Sequence, residues 1–88
     1  MTYMLCKHRV ADFSRWHRIF ESHAEAQRKA GIYLLYLLRE ISDPNSLVYL
    51  FRVEDLDRAH AFTEAPEANQ AAQDSGVIGP FELLYLHD

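Results

Sequence analysis

The feature that most constrains this chain is the order of its hydrophobic patterns. An apolar strand comes first, then an amphipathic helix, two apolar strands in succession, two short helices and a closing apolar strand, all within 88 residues. Thr2 to Val10 reads as the first strand. Asp12 is a good N-cap, and from Phe13 the spacing changes: Phe13, Trp16, Phe20 and Ala24 recur at intervals of three and four, which places them on one helical face. Gly31 stops that helix. Ile32 to Ile41 and Leu47 to Val53 form a hairpin around Asp43-Pro44-Asn45-Ser46, a run of turn-forming residues. Asp55 caps a short helix carrying Leu56, Ala59 and Phe62. Pro66 breaks it and opens another, proline being tolerated at a first helical position. That helix ends at Gly76, and Gly79-Pro80 turns the chain into a last strand, Phe81 to His87.

This β-α-β-β-α-β order is the split βαβ of the ferredoxin-like fold. It predicts an α+β protein with one four-stranded antiparallel sheet, and a single domain over residues 1–88. Alternation separates the faces of the strands. Leu47, Tyr49, Phe51 and Val53 point one way, against Val48, Leu50 and Arg52. Ile32, Leu34, Tyr36 and Leu38 share a face, opposite Tyr33, Leu35, Leu37 and Arg39. Phe81, Leu83, Tyr85 and His87 oppose Glu82, Leu84 and Leu86. Each face therefore carries large apolar groups, and the helices cover only one. The other would exceed the few hundred Å² of contiguous apolar surface that a monomer tolerates. A homodimer through the open sheet face is the expected cover, and a chain this short gains most from the added burial.

Charge and cysteine content exclude several partners. A net charge of -4 and a pI near 5.6 leave no basic stripe to neutralise phosphates, so no nucleic-acid partner is expected. The single cysteine, Cys6, has no partner for an internal disulfide. Its apolar surroundings suit a small buried hydrophobe in a reducing compartment. No apolar run approaches the ~20 residues that span a bilayer, and no charged leader opens the chain. A cytoplasmic protein without a membrane partner is expected.

Val10-Ala11-Asp12-Phe13-Ser14-Arg15-Trp16, continuing to Phe20, resembles the opening of small dimeric α+β barrel proteins. So do Val53-Glu54-Asp55-Leu56-Asp57-Arg58-Ala59 with Phe62, and the stretch from Pro66-Glu67 to Gly76-Val77. The resemblance covers almost the whole chain and points to the superfamily that includes antibiotic-biosynthesis-monooxygenase-like proteins. It implies a homodimer whose sheets form a barrel, often with a ligand cleft between sheet and helices. It does not imply one activity, and two functions are open. One is a cofactor-independent monooxygenase or cyclase acting on aromatic or polyketide-like small molecules. The other is a non-catalytic dimeric barrel that binds a small apolar ligand or serves a stress-related role.

Five histidines invite a metal or acid-base role. His17 and His23 lie six positions apart on one helix, and no paired-ligand spacing occurs elsewhere, so no metal site is expected. With three glycines and no phosphate-binding loop, no organic cofactor is expected either. His8 shares parity with Met4 and Cys6 on a largely apolar strand, where a partly buried imidazole titrates near neutral pH and moves a proton. Tyr49 offers a hydroxyl inside the same oily face. These two are the catalytic candidates. Trp16 has two roles open to it, core packing with its N–H finding a partner, or the wall of a cleft. Phe20, Tyr36, Phe51, Phe62 and Tyr85 are the further substrate-binding candidates, with cross-strand packing the alternative for the tyrosines. Arg39 and Arg52 are expected near strand ends, paired with acids across the dimer.

Overall fold

A computed structural model describes residues 1–88. The elements run β1 (Thr2–Val10), α1 (Phe13–Ser22), α2 (Ala24–Lys29), β2 (Ile32–Arg39), β3 (Ser46–Val53), α3 (Leu56–Glu64), α4 (Pro66–Asp74) and β4 (Val77–His87). The strands form one antiparallel sheet in the order β2-β3-β1-β4. This is the ferredoxin-like α+β arrangement, with β1 and β3 in the centre and β2 and β4 at the edges. No helix is long and apolar enough to cross a membrane.

The local chemistry of the helix ends is as the residues suggest. The Asp12 carboxylate accepts the Ser14 N–H at 3.0 Å, and Asp55 accepts the Arg58 N–H at 3.2 Å. Each satisfies a donor that the first helical turn leaves without a partner. Gly31 and Gly76 both adopt positive φ, 75° and 80°, where the chain leaves a helix for the next strand. The first helical stretch is two helices rather than one. His23 sits at φ -97°, ψ 5° and separates α1 from α2.

Two irregularities in the sheet change what alternation predicts. In β2, Leu34 pairs with Phe51 and Tyr36 with Leu50, so Leu35 is an extra residue and the parity of everything after it flips. Leu37 and Arg39 thereby turn to the helix face, while Tyr36 and Leu38 turn to the open face with Leu50 and Val48. The expectation that Tyr36 shares a face with Ile32 and Leu34 is corrected by this bulge. The strand also stops at Arg39 instead of Ile41. In β4, Gly79 and Pro80 do not precede the strand but lie inside it. Val77 and Ile78 already pair with Val10 and Arg9, and pairing resumes at Glu82 opposite Lys7. Three residues of β4 thus face His8 alone. Proline fits there because β4 is an edge strand and lacks nothing by withholding an N–H.

The core lies between the sheet and the helices. Met4, Cys6 and Val10 of β1 and Leu47, Phe51 and Val53 of β3 are buried there, with Trp16 and Ala59 from the helices. Trp16 is the aromatic centre, with its ring 4.6 Å from Phe20, 5.5 Å from Tyr49 and 6.0 Å from Phe13 between centroids. The two strand arginines find partners within the chain. Arg39 stacks its guanidinium 3.9 Å over the Phe13 ring, and Arg52 lies 4.6 Å over Tyr33 and 3.7 Å from Glu54.

Trp16→Ala should cost ~3–5 kcal/mol, because the vacated volume is walled by rings that collapse only partly. Urea denaturation followed by circular dichroism measures it. A loss below about 1 kcal/mol would mean that the indole packs far less tightly than these distances indicate.

Candidate functional site

The helix face of the sheet does not close on itself. Between the four strands below and the four helices above lies a cavity of about 660 Å³, lined chiefly by apolar side chains. That is within the range that takes a drug-sized organic molecule. His8 lines it. It belongs to the central strand β1 and pairs with Leu47, while Tyr49 pairs with Cys6. His8 and Tyr49 are therefore diagonal neighbours on one face, close enough for long side chains to meet.

They do meet. His8 Nε2 and the Tyr49 hydroxyl lie 2.9 Å apart, and His8 Nδ1 lies 3.4 Å from the Arg9 carbonyl oxygen. A carbonyl only accepts, so Nδ1 carries the proton of the neutral imidazole, and Nε2 accepts the hydrogen bond that Tyr49 donates. His8 is 2% exposed and Tyr49 6%. Burial pushes the His8 pKa below its ordinary 6.5, partly offset by the Arg9 carbonyl. Burial, with Cys6 alongside, raises Tyr49 well above 10. Cys6 is itself pushed up to about 12 by burial, which the Tyr49 hydroxyl reduces a little. At neutral pH the site thus holds a neutral imidazole, an undissociated phenol and an inert thiol. A neutral imidazole hydrogen-bonded to a phenol is set to take a proton through it, with no net ionisation of the phenol.

Aromatic rings fix this pair. Phe81 stacks on His8 at 4.8 Å and 15°, and Trp16 meets the imidazole edge-on at 5.6 Å. Phe81 is presented by the β4 bulge opposite His8, where Gly79 takes φ 72°. Of the substrate-binding candidates, Trp16, Phe20, Phe51 and Phe62 line the cavity along with His8 and Tyr49. The Trp16 indole N–H has no hydrogen-bond partner within the chain, and its nitrogen is not fully buried. Tyr36 and Tyr85 lie elsewhere. Tyr36 is 62% exposed on the open face, carried there by the Leu35 bulge. Tyr85 stacks on His60 at 4.4 Å and holds its hydroxyl 3.1 Å from the Thr63 hydroxyl, tying α3 to β4. Phe81 and Gln27 line the cavity without having been singled out in the sequence. A glycine-proline pair within reach of His8 is the signal for the first. For the second it is a polar residue continuing the stripe Trp16, Phe20, His23.

No group of three or more His, Cys, Asp or Glu side chains comes together in a form that would hold a metal ion. His17 is taken by Glu21 at 2.8 Å, and the remaining histidines are dispersed over separate elements.

No protein-family model matches the chain, and no curated protein does. Solved structures match along its whole length. A proposed antibiotic biosynthesis monooxygenase from Bordetella bronchiseptica superposes with a TM-score of 0.77 at 12% identity, covering 99% of this chain and 95% of that one. The chain shares its fold. SnoaB, a cofactor-independent oxygenase from Streptomyces nogalater, superposes at 0.75 with 18% identity, covering 99% and 91%. A proposed antibiotic biosynthesis monooxygenase from Deinococcus radiodurans gives 0.71 at 16%, covering 100% and 92%. The antibiotic-biosynthesis-monooxygenase-like resemblance noted in the sequence is thus met by structures of that description.

The depressed His8 pKa fixes a sign for stability. The unfolded chain binds the His8 proton more readily than the folded one. The stability His8 contributes is therefore fully present above the ordinary value of 6.5 and is lost as pH falls from there through the lower folded value. Denaturant midpoints measured across that window should decline on acidification, and the slope should flatten in His8→Phe. An equal slope in both proteins would show that His8 is protonated as easily folded as unfolded.

Proposed function

We propose that the protein is a homodimeric, cofactor-independent monooxygenase acting on aromatic or polyketide-like small molecules. The observation that carries this is the 2.9 Å hydrogen bond between a neutral, buried His8 and Tyr49 at the wall of a largely apolar cavity. The likeness to SnoaB, which is described as a cofactor-independent oxygenase, supports the same class. A phenolic or enolisable substrate buried among Trp16, Phe20, Phe51 and Phe62 loses its proton to the Tyr49 oxygen as Tyr49 passes its own to His8 Nε2. The resulting imidazolium is held by its Nδ1–H on the Arg9 carbonyl. The electron-rich enolate so formed is the species that reacts with dioxygen, and the apolar walls keep water from quenching it.

Oxygen uptake with a panel of polycyclic phenols and quinols tests this. Turnover by the wild type should fall about 10²–10⁴-fold in His8→Phe, the range typical for loss of a positioned general base. The acid limb of the wild-type pH profile should lie below pH 6.5, since the base must be neutral. Uptake that is equal in wild type and His8→Phe across the panel would defeat the mechanism.

The dimer is supported by the open face. Tyr36, Leu38, Leu84 and Leu86 are exposed there beside half-buried Leu5 and Leu50, a continuous apolar surface on all four strands. A stable interface needs on the order of 1,600 Å² in total, about half from each partner. Sedimentation equilibrium at micromolar concentration should give twice the chain mass. Leu84→Lys should shift it toward the single chain, whereas a wild-type protein that sediments as one chain would refute the dimer.

A further inference from the structure

We propose that α4 is a strap over the cavity, anchored at both ends and lightly packed between them, and that its opening is the way in for whatever the cavity takes. The other helices that bear on the core bring large side chains to it. Trp16 and Phe20 of α1 line the cavity, as does Phe62 of α3. From α4 come Ala68, Ala71 and Ala72, with Glu67 and Asn69 near its start, and the helix buries no residue at all. An alanine methyl removes far less apolar surface from water than an aromatic ring, and the hold of a helix on a core scales with that area. Its own stability adds little. Helices shorter than about 12–15 residues are marginal by themselves, and α4 has nine. Its N-cap is Ala65, which has no side-chain acceptor for the free N–H groups of the first turn.

What fixes α4 lies at its two ends. Before it, Phe62 packs against the core and the Thr63 hydroxyl lies 3.1 Å from that of Tyr85. After it, Ser75 is buried and the Gly76 carbonyl accepts the Ala11 N–H at 2.9 Å. The last turn is also tied to α1, where Arg15 Nη2 donates to the Asp74 carbonyl at 2.7 Å. That is the one hydrogen bond through a side chain that joins α4 to another element. Gln70 donates within the helix, to Asp74, and no ion pair reaches it. Between Ala65 and Asp74 the helix can therefore lift or melt, giving its backbone groups to water and breaking little else. Segments with few buried contacts and solvent-exposed backbone hydrogen bonds open locally, well below the free energy of global unfolding. The strands beneath, with His8 and Tyr49, stay paired while the roof moves aside.

Amide hydrogen exchange and thiol labelling of the intact chain test this with no ligand present, so failure here leaves the reaction proposed above untouched. Cys6 is the only cysteine, is buried and lines the cavity. The probe is methyl methanethiosulfonate, small enough to enter an opened cavity. In the wild type, α4 amides corrected for intrinsic rates should exchange about 100-fold faster, or more, than those of β1 and β3. Gln70 is exposed and does not line the cavity. Gln70→Gly should speed α4 exchange and Cys6 labelling by one common factor, about threefold to fivefold from lost helix propensity, and leave β1 and β3 unchanged. Arg15→Met, which removes the tie to Asp74, should do the same by about fivefold to tenfold. Protection of α4 equal to that of β1 and β3 in the wild type overturns the strap, and that comparison needs no variant to fold. Exchange in α4 that neither variant alters overturns it as well. So does faster α4 exchange with Cys6 labelling still at the wild-type rate, because the cavity is then entered elsewhere.

Discussion

A sheet covered by helices on one side has to dispose of two faces, and in this protein both carry large apolar side chains. Everything else follows from how the two are treated. The covered face is packed with aromatic side chains, but the helices above it are short and broken, at His23 between α1 and α2 and at Pro66 between α3 and α4. Four short rods do not fill the space over a twisted sheet as two long ones would. A cavity remains where they part, and His8, the polar side chain buried on β1, faces into it. The open face keeps Tyr36, Leu38, Leu84 and Leu86 exposed.

The burial that shapes the cavity also sets its chemistry. Desolvation moves His8 and Tyr49 in opposite directions, each toward its neutral form, so the two share a proton without carrying a charge. Phe81 and Trp16 do more than fill space around that pair. By stacking on the imidazole and meeting it edge-on they leave its ring little freedom to turn, which keeps Nε2 directed at the phenol.

The sequence made the element order legible because the apolar period switches cleanly between strand and helix, and because capping residues such as Asp12 and Asp55 stand where helices begin. His8 and Tyr49 could be named because strand parity put each on the buried face, although nothing in their spacing stated that they touch. The misplacements trace to the two bulges. Strict alternation carries no information about an inserted residue, so it puts Tyr36 on the wrong side of the Leu35 irregularity, and it reads Gly79-Pro80 as a turn where the pair interrupts a strand already begun. Tyr85 has the right parity, but its hydroxyl is claimed by Thr63 on α3, a contact between distant elements that no local pattern records. Gln27 carries no sequence signal of its burial, because an isolated glutamine on a helix reads as solvated surface. Only the closure of the sheet beneath α2 makes it an interior residue.

The interruption in β4 has a bearing on how the protein avoids its own kind. An edge strand offers a row of free backbone groups to any passing strand, and one as long and apolar as Val77–His87 would be an open template for stacking into fibres. Pro80 removes a donor from that row, and Gly79 and the bulge twist the line out of register. The residues that bring Phe81 against His8 therefore also deny an incoming chain a straight edge, so that the shape of the cavity wall around His8 and the resistance of the molecule to aggregation rest on the same three positions.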